Sequence, residues 1–549
     1  MIRIVILLSI ITLAGCSHSK FEKVVPTTND TWHIQAKGAE ILDENGNLLG
    51  STQNQNQAEL TLPINYADRL WLGSRDESAL AVKLGQNNQA LRTFDHLIIY
   101  HIMVGYFANG EPGNDRVGLS HWVGPNYAGG DLQGVLSKLD YLQALGVNAI
   151  WLSPTFPSFT SHGYDPANYF AVNGALAYPG QPAKSLALLK QVIDEAHHRG
   201  LKVFLDLPLN HGASNYDRAN GDPNGLQPKT TGNRQPEEVF FDSIGANFGY
   251  WDEKDPNTRR FLKDAALFWL NEFDVDGYRL DYVLGMEKSF WAELYQEIKA
   301  QKPDAFVLGE VWLDNHAAPT ELTEHYRPVD GIGLQFDSLI EFPTRYALER
   351  VFAGGRSLTL IEEYLQAVSA AYPTTAHPAW FLDNHDMPRF TVMNGDPRRL
   401  EAAVKFMSAL SGPMIVYYGT ETALTHTYLP DMHASRVPMP WDNLNDEMLS
   451  KSQTIFHTRQ QHPALYRGGR LPLVVQDDYL VMAKTTPEEI ILVGVNLTDA
   501  PVKVEIELGS LLDELGNVSP LAGDSEWQMT GNSLTWLLPA MGTHFLHAN

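Results

Sequence analysis

The 549-residue chain has a single cysteine, Cys16, so no internal disulfide can form and the fold must be held by its core. Basic residues are also scarce. Forty Lys and Arg face 65 Asp and Glu, and the resulting formal charge of -25 repels phosphate backbones, which argues against nucleic acid as a partner. The opening apolar run, Ile4-Val5-Ile6-Leu7-Leu8, is too short to span a membrane. What the chain has in plenty is core material. Hydrophobic residues make up 44% of it, and 549 residues exceed what one core supports, so one large domain with one or two smaller modules is expected.

Residues 1–15 carry an early positive charge at Arg3, then the apolar run, then Leu13-Ala14-Gly15 before Cys16. This is the pattern of an export signal. The segment Leu13-Ala14-Gly15-Cys16 resembles the lipobox of bacterial lipoproteins, which implies removal of 1–15 and acylation of Cys16. The mature protein would then be exported and lipid-anchored to a bacterial membrane, in the periplasm or at the cell surface. Ser17, rather than Asp, resembles the outer-membrane pattern. An ordinary buried cysteine is the alternative.

A polar linker is expected over 16–30 and a small β-module over 31–93, on stretches such as Ala58-Glu59-Leu60-Thr61-Leu62. From Phe94 the texture changes, and apolar runs alternate with segments of helical period. The strand candidates are Leu97 to Tyr100, Asn148 to Leu152, Lys202 to Leu205, Gly277 to Leu280, Ala305 to Leu308, Gly331 to Phe336, Ala379 to Leu382 and Met414 to Tyr418. About eight strand-helix units are the count of a TIM (β/α)8 barrel, expected over 94–450, with a doubly wound sheet as the competing arrangement. The Gly- and Asn-rich stretch 212–252 is too long for an ordinary loop and reads as a small excursion domain after strand 3. Over 451–549, runs such as Leu534-Thr535-Trp536-Leu537-Leu538 suggest a C-terminal β-sandwich.

Polar residues collect just after the strands: Asp206 to His211 after the third, Arg279 and Asp281 at the fourth, Glu310 after the fifth, and Asp383 to Asp386 after the seventh. Barrel enzymes carry their chemistry on that face. A lone aspartate there caps a helix more often than it catalyses, and a lone histidine is more often structural. Four such groups in order are harder to dismiss. Two carboxylates, Asp281 and Glu310, could cleave a glycosidic bond, one attacking the sugar carbon and the other protonating the leaving oxygen. Arg279, on the same side of its strand, can hold Asp281 as an anion, while apolar Val307-Leu308 and Val311-Trp312 flank Glu310 and would raise its pKa.

Asp206 to His211, Gly277 to Asp281, Gly309-Glu310 and Asn384-His385-Asp386 together resemble the four signature regions of glycoside hydrolase family 13, the α-amylase family. The resemblance runs from Tyr100 to Trp441. It implies Asp281 as nucleophile, Glu310 as general acid/base and Asp386 as the carboxylate that stabilises the transition state, in a retaining reaction through a covalent glucosyl-enzyme. His211 and His385 would donate to sugar hydroxyls, and Tyr164, in Ser161 to Tyr169, would stack on the sugar. Arg436 would reach Asp165 or substrate. The implied substrates are α-1,4-linked maltooligosaccharides, starch fragments or cyclodextrins. A transglycosylase or isomerase could use the same intermediate, and a degenerate barrel could serve as a non-catalytic starch-binding lipoprotein, although all three carboxylates are retained.

A second oxygen-rich cluster, Asn109 to Asp115 with Gly129-Gly130-Asp131, suits a hard cation. It resembles the calcium loop of cyclomaltodextrinase-like members, which implies Asn109, Glu111, Asn114, Asp115, Gly129 and Asp131 as calcium ligands. Glu111 stands where Asp is usual, and a solvated turn is the alternative. Where many α-amylases carry Lys-His after the nucleophile segment this chain has Leu284-Gly285, and Gly245 to Trp251 matches no specificity class.

Overall fold

The structure is a computed structural model that describes residues 94–549 apart from 121–122, 125, 214–225, 236–237, 240–247, 314–320, 323–324, 327, 330, 373–376, 429–431, 487, 508–517, 523–525, 532 and 549. Before residue 94 it describes only strand segments between Phe21 and Lys83. The expected export signal and Cys16 lie outside the described residues. Among the described residues no helix is long and apolar enough to cross a membrane.

Seven parallel strands form one sheet, in the order Ser338–Leu339, Phe306–Gly309, Gly277–Leu280, Lys202–Leu207, Ala149–Leu152, Ile98–Ile102, Met414–Tyr417. Parallel bridges Ile340 to Ala379 and Trp380 to Met414 join the two edges and close the ring, so the architecture is a TIM barrel and not a doubly wound sheet. Two expected strands changed in the process. Gly331 and Gly333 take left-handed backbone angles (φ 75° and 129°), which turns the chain and moves the sixth strand from Gly331–Phe336 to Ser338–Leu339. The seventh, expected over Ala379 to Leu382, contributes only the two bridging residues.

Alternation along each strand sends one set of side chains to the helices and the other into the barrel. Ile98, Tyr100 and Ile102 pack outward with the helix core, while Ile99 joins Trp151, Phe204, Phe306 and Leu308 inside. The same alternation turns Asp206 and Arg279 inward as direct cross-strand partners. The helices follow their caps: Asp255 accepts from the Thr258 amide at 2.8 Å, Pro256 opens the helix Pro256–Phe273, and Leu262, Ala265, Ala266, Trp269 and Phe273 form its buried stripe.

The excursion leaves the barrel through His211–Ala213, which pairs antiparallel with the returning strand Phe248–Tyr250. At the other end the expected boundary at 450 falls inside the helix Asp446–Gln461, and a second helix, Pro463–Arg467, precedes the first sandwich strand, Gly469–Val475. Ser452 and Arg459 stand in the buried stripe of the first of these helices beside Met448, Ile455 and Phe456, and these polar residues mask its helical period in the sequence. Beyond it a five-stranded sheet (Gly469–Val475, Tyr479–Thr485, Ile490–Asn496, Gly542–Ala548, Val518–Ala522) and a three-stranded sheet (Val502–Glu507, Ser533–Leu538, Glu526–Thr530) enclose Leu492, Ile506, Trp536 and Leu546. At the N-terminus, seven strands form a three-stranded and a four-stranded sheet. The first, Phe21–Pro26, occupies part of the expected linker and pairs with Thr31–Ala36.

Candidate active site

Asp206, Arg279, Asp281 and Glu310 come from three neighbouring strands and meet at the C-terminal end of the barrel, all buried. Arg279 is the hub. Its Nη1 donates to Asp206 Oδ1 at 2.8 Å and to Asp281 Oδ1 at 2.6 Å, while Nη2 forms an ion pair with Glu310. A planar guanidinium presents its donors as a fixed fork, so the relative positions of these carboxylates are set by one rigid group. The sequence pointed to Arg279 as partner of Asp281 alone; it serves three acids because strand register sets Asp206 beside it and the next strand end delivers Glu310.

Asp206 receives Trp151 Nε1 at 2.9 Å and the Tyr164 hydroxyl at 2.7 Å on its second oxygen. Burial pushes its carboxyl up to about 7, with Arg279 opposing and Asp281 adding. Glu310 accepts the Tyr282 amide at 3.0 Å. Burial pushes it up to about 8, against Arg279 and with help from the charges of Asp281 and Asp386. The apolar flanks read from the sequence are therefore one cause of the raised pKa, and neighbouring carboxylates are another.

Asp386 completes the group from the far side of the ring. Burial alone would raise its carboxyl, but His385 Nε2 at 3.0 Å and Arg436 Nη2 at 2.9 Å outweigh this and hold it well below the usual carboxylate range. Arg436 thus pairs with Asp386 and not with Asp165, which is held by the Ser158 and Thr160 hydroxyls. The Tyr164 and His385 rings stack at 5.0 Å, tilted by only 2°, which fixes the tyrosine against the carboxylate that its hydroxyl also binds.

His211 Nε2 lies 2.7 Å from the Tyr164 carbonyl, and Nδ1 lies 2.9 Å from Asn210 Oδ1 and 3.8 Å from Asp281 Oδ2, so the ring braces the loop carrying Tyr164 beside Asp281. The sequence singled out neither Trp151 nor His101. Both point inward from strand ends, and they stack at 3.7 Å beneath the carboxylates. Apolar-looking strands concealed them, although inward alternation would have placed both.

At Leu284-Gly285 a lysine arrives from another part of the chain. Lys229, from the excursion, is buried, bonds Glu238 Oε1 at 3.0 Å and donates to the Gly285 carbonyl. Spacing within the nucleophile segment could not reveal a residue supplied from outside it.

Residues 101–231 and 231–461 match the family described as Alpha amylase, catalytic domain. The chain belongs to the α-amylase family. A cyclomaltodextrinase of Geobacillus thermopakistaniensis is 30% identical over 435 residues, 74% of this chain and 70% of that protein. The crystal structure of an α-amylase from Geobacillus thermoleovorans complexed with acarbose superposes with a TM-score of 0.71 at 28% identity, covering 83% of this chain and 99% of the other. A solved cyclomaltodextrinase covers 95% of this chain and is covered to 97%, with a TM-score of 0.72; at 20% identity that likeness concerns the fold. This α-amylase-family chain is a glycoside hydrolase, and its relationship to cyclomaltodextrinases and maltogenic amylases agrees with the motifs that first suggested the family.

The six residues expected at the calcium loop do gather. Asn109 Nδ2 faces Asp115 at 3.0 Å, Gly129 (φ 70°) comes so close that a Cβ there would meet Asp115 Oδ1 at 2.3 Å, and Asn114 packs on Asp131 at 3.1 Å. Among the described residues Asn114 Oδ1 is buried with no hydrogen-bond donor, an acceptor that a hard cation would satisfy. Two of the six are otherwise engaged. Asp131 accepts from the Gly110, Glu111 and Gly134 amides, the last as helix cap, and Glu111 Oε1 accepts the Gly113 amide.

Proposed function

We propose that this α-amylase-family enzyme is a retaining hydrolase of α-1,4-linked glucans, acting on maltooligosaccharides, starch fragments or cyclodextrins. The observation that carries the reading is the Arg279 fork holding Asp281 and Glu310 at its two ends. Carboxyls gathered on one guanidinium support the narrow separation of about 5–5.5 Å that a retaining pair needs, against about 6.5–9.5 Å in inverting enzymes.

In the first step Asp281 attacks the anomeric carbon while Glu310, kept protonated by burial, gives its proton to the departing glycosidic oxygen. The Asp281–sugar ester is the glucosyl-enzyme. In the second step Glu310, now a carboxylate, takes a proton from water, whose oxygen attacks the same carbon and releases Asp281. Asp386, ionised beside Arg436, accepts hydrogen bonds from sugar hydroxyls that strengthen as the ring gains positive charge. Tyr164 presents an aromatic surface to the sugar. The names of the relatives support the glucan class.

Two further readings belong with this one. Asn109, Asn114, Asp115 and the Gly129 carbonyl would hold a structural calcium ion, on the strength of the orphaned Asn114 Oδ1. Cys16 would carry the lipid that holds the enzyme to the outer membrane, supported by Leu13-Ala14-Gly15 before it; incorporation of labelled palmitate by wild type and not by Cys16→Ser checks this.

The functional test is hydrolysis of maltoheptaose and a cyclodextrin by wild type and Asp281→Ala, with proton NMR of the first product. Wild type should release the α-anomer and the variant should be inactive. Equal rates, or an initial β-anomer, would sink the reading. Chromatography of products at high sugar concentration separates hydrolysis from transglycosylation by the same intermediate.

A further inference from the structure

Away from the catalytic face, three side chains from distant parts of the chain converge where the barrel meets the C-terminal sandwich. His462 lies in the turn between the helices Asp446–Gln461 and Pro463–Arg467, Glu489 immediately precedes the strand Ile490–Asn496, and His547 sits on the last strand, Gly542–Ala548. His462 Nδ1 is 2.9 Å from Glu489 Oε2, His547 Nε2 is 3.5 Å from the same oxygen, and the three atoms all lie within 4.8 Å of one another. We propose that His462, Glu489 and His547 form a binding site for a divalent transition metal of the zinc class, which clips the C-terminal sheet to the barrel.

Ligands about 2.0–2.2 Å from a tetrahedral ion lie roughly 3.3–3.5 Å apart; the His547–Glu489 separation of 3.5 Å lies at the top of that range and the His462–Glu489 separation of 2.9 Å just below it. Two imidazoles and one carboxylate are a donor set that favours zinc, nickel or copper over calcium or magnesium. The third side chain is not explained by hydrogen bonding alone. Among the described residues His547 Nε2 is buried without a hydrogen-bond partner, whereas a metal would use its lone pair. Glu489 is also aimed from behind: its other oxygen, Oε1, accepts the Ala464 amide at 2.7 Å, which leaves Oε2 facing both rings. Such an outer contact is how proteins fix a metal-binding carboxylate. The three side chains keep 18%, 10% and 15% of their surface exposed, enough for an ion to enter and for water to take the fourth position. Closing a link between residues 462, 489 and 547 would resist separation of the two domains, because the ion binds only when all three segments are docked.

The full-length enzyme, stripped with chelator and dialysed, is equilibrated with zinc chloride, and bound metal is measured by mass spectrometry alongside thermal melting. Wild type should retain stoichiometric zinc and melt several degrees higher with it. His547→Ala and Glu489→Gln should each lose both effects while their glucan hydrolysis at room temperature stays unchanged. If wild type retains no zinc, or if both variants bind and respond as wild type does, the proposal is overturned. A midpoint that rises with calcium but not with zinc overturns it as well, and would point to the Asn109 to Asp131 loop instead.

Discussion

Arg279 and Glu310 form a buried ion pair across adjacent barrel strands, and the same guanidinium bonds Asp281 and Asp206. In the proposed mechanism, the acid that gives up a proton is thus tied, through one side chain, to the acid that attacks. Replacing Arg279 by Ala would strand three buried carboxylates and should cost about 3–5 kcal/mol of stability, the range for breaking a buried pair. Arg279→Lys keeps the charge but loses the fork, and should retain more stability than Ala while still losing most activity. Denaturant unfolding and maltoheptaose hydrolysis measure the two effects, and a fully active lysine variant would contradict the positioning role.

Glu310→Gln removes the proton donor without changing size. Hydrolysis of maltooligosaccharides should fall by about 10²–10⁴-fold, the usual contribution of a positioned acid. An aryl maltoside, whose phenolate leaves unaided, should suffer much less in the first step. Loss of the same size on both substrates would remove Glu310 from the acid role.

The pH dependence follows from the raised carboxyls. As the proposed acid, Glu310 must be protonated to act, so kcat/KM should fall as pH rises through about 8. The stability sign runs the same way. Glu310 is raised from 4.5 to about 8 and Asp206 from 3.8 to about 7, so the folded state holds protons that the unfolded state releases. Their stabilising contribution is complete at acid pH below the unfolded values and is lost as pH rises through about 7 to 8. Thermal melting across this window should show a decline that is shallower in Glu310→Gln.

Lys229 neutralises Glu238, which is wholly buried, and holds the Gly285 carbonyl beside the nucleophile strand. Lys229→Met should cost about 3–5 kcal/mol by leaving that glutamate uncompensated. On the proposal that Leu284-Gly285 faces the acceptor, it should also shift the ratio of hydrolysis to transglycosylation. Chromatographic product ratios unchanged from wild type would confine Lys229 to a structural role.

Chelation of calcium should lower the melting midpoint of wild type, and Asn114→Ala should remove that sensitivity. A midpoint indifferent to chelator in the wild-type enzyme would mark the Asn109 to Asp131 loop as a hydrogen-bonded turn.

The alternation of strands and helices, the acids at strand ends and the family motifs are local patterns of one or two short segments, and they were legible along the chain. Period and composition decide them: Gly277 to Asp281 and Asn384 to Asp386 carry their meaning in adjacent residues. Strand ends were less legible where glycines at 331 and 333 turned the chain, and the Asp446–Gln461 helix was hidden by Ser452 and Arg459 on its buried side. Tertiary structure alone decided who meets whom. It gave Arg436 to Asp386 instead of Asp165, brought Lys229 to Gly285, turned His211 toward the Tyr164 backbone, and assembled His462, Glu489 and His547. Such pairings join residues tens of positions apart, and their distances are fixed by barrel closure and domain docking, which no local period encodes.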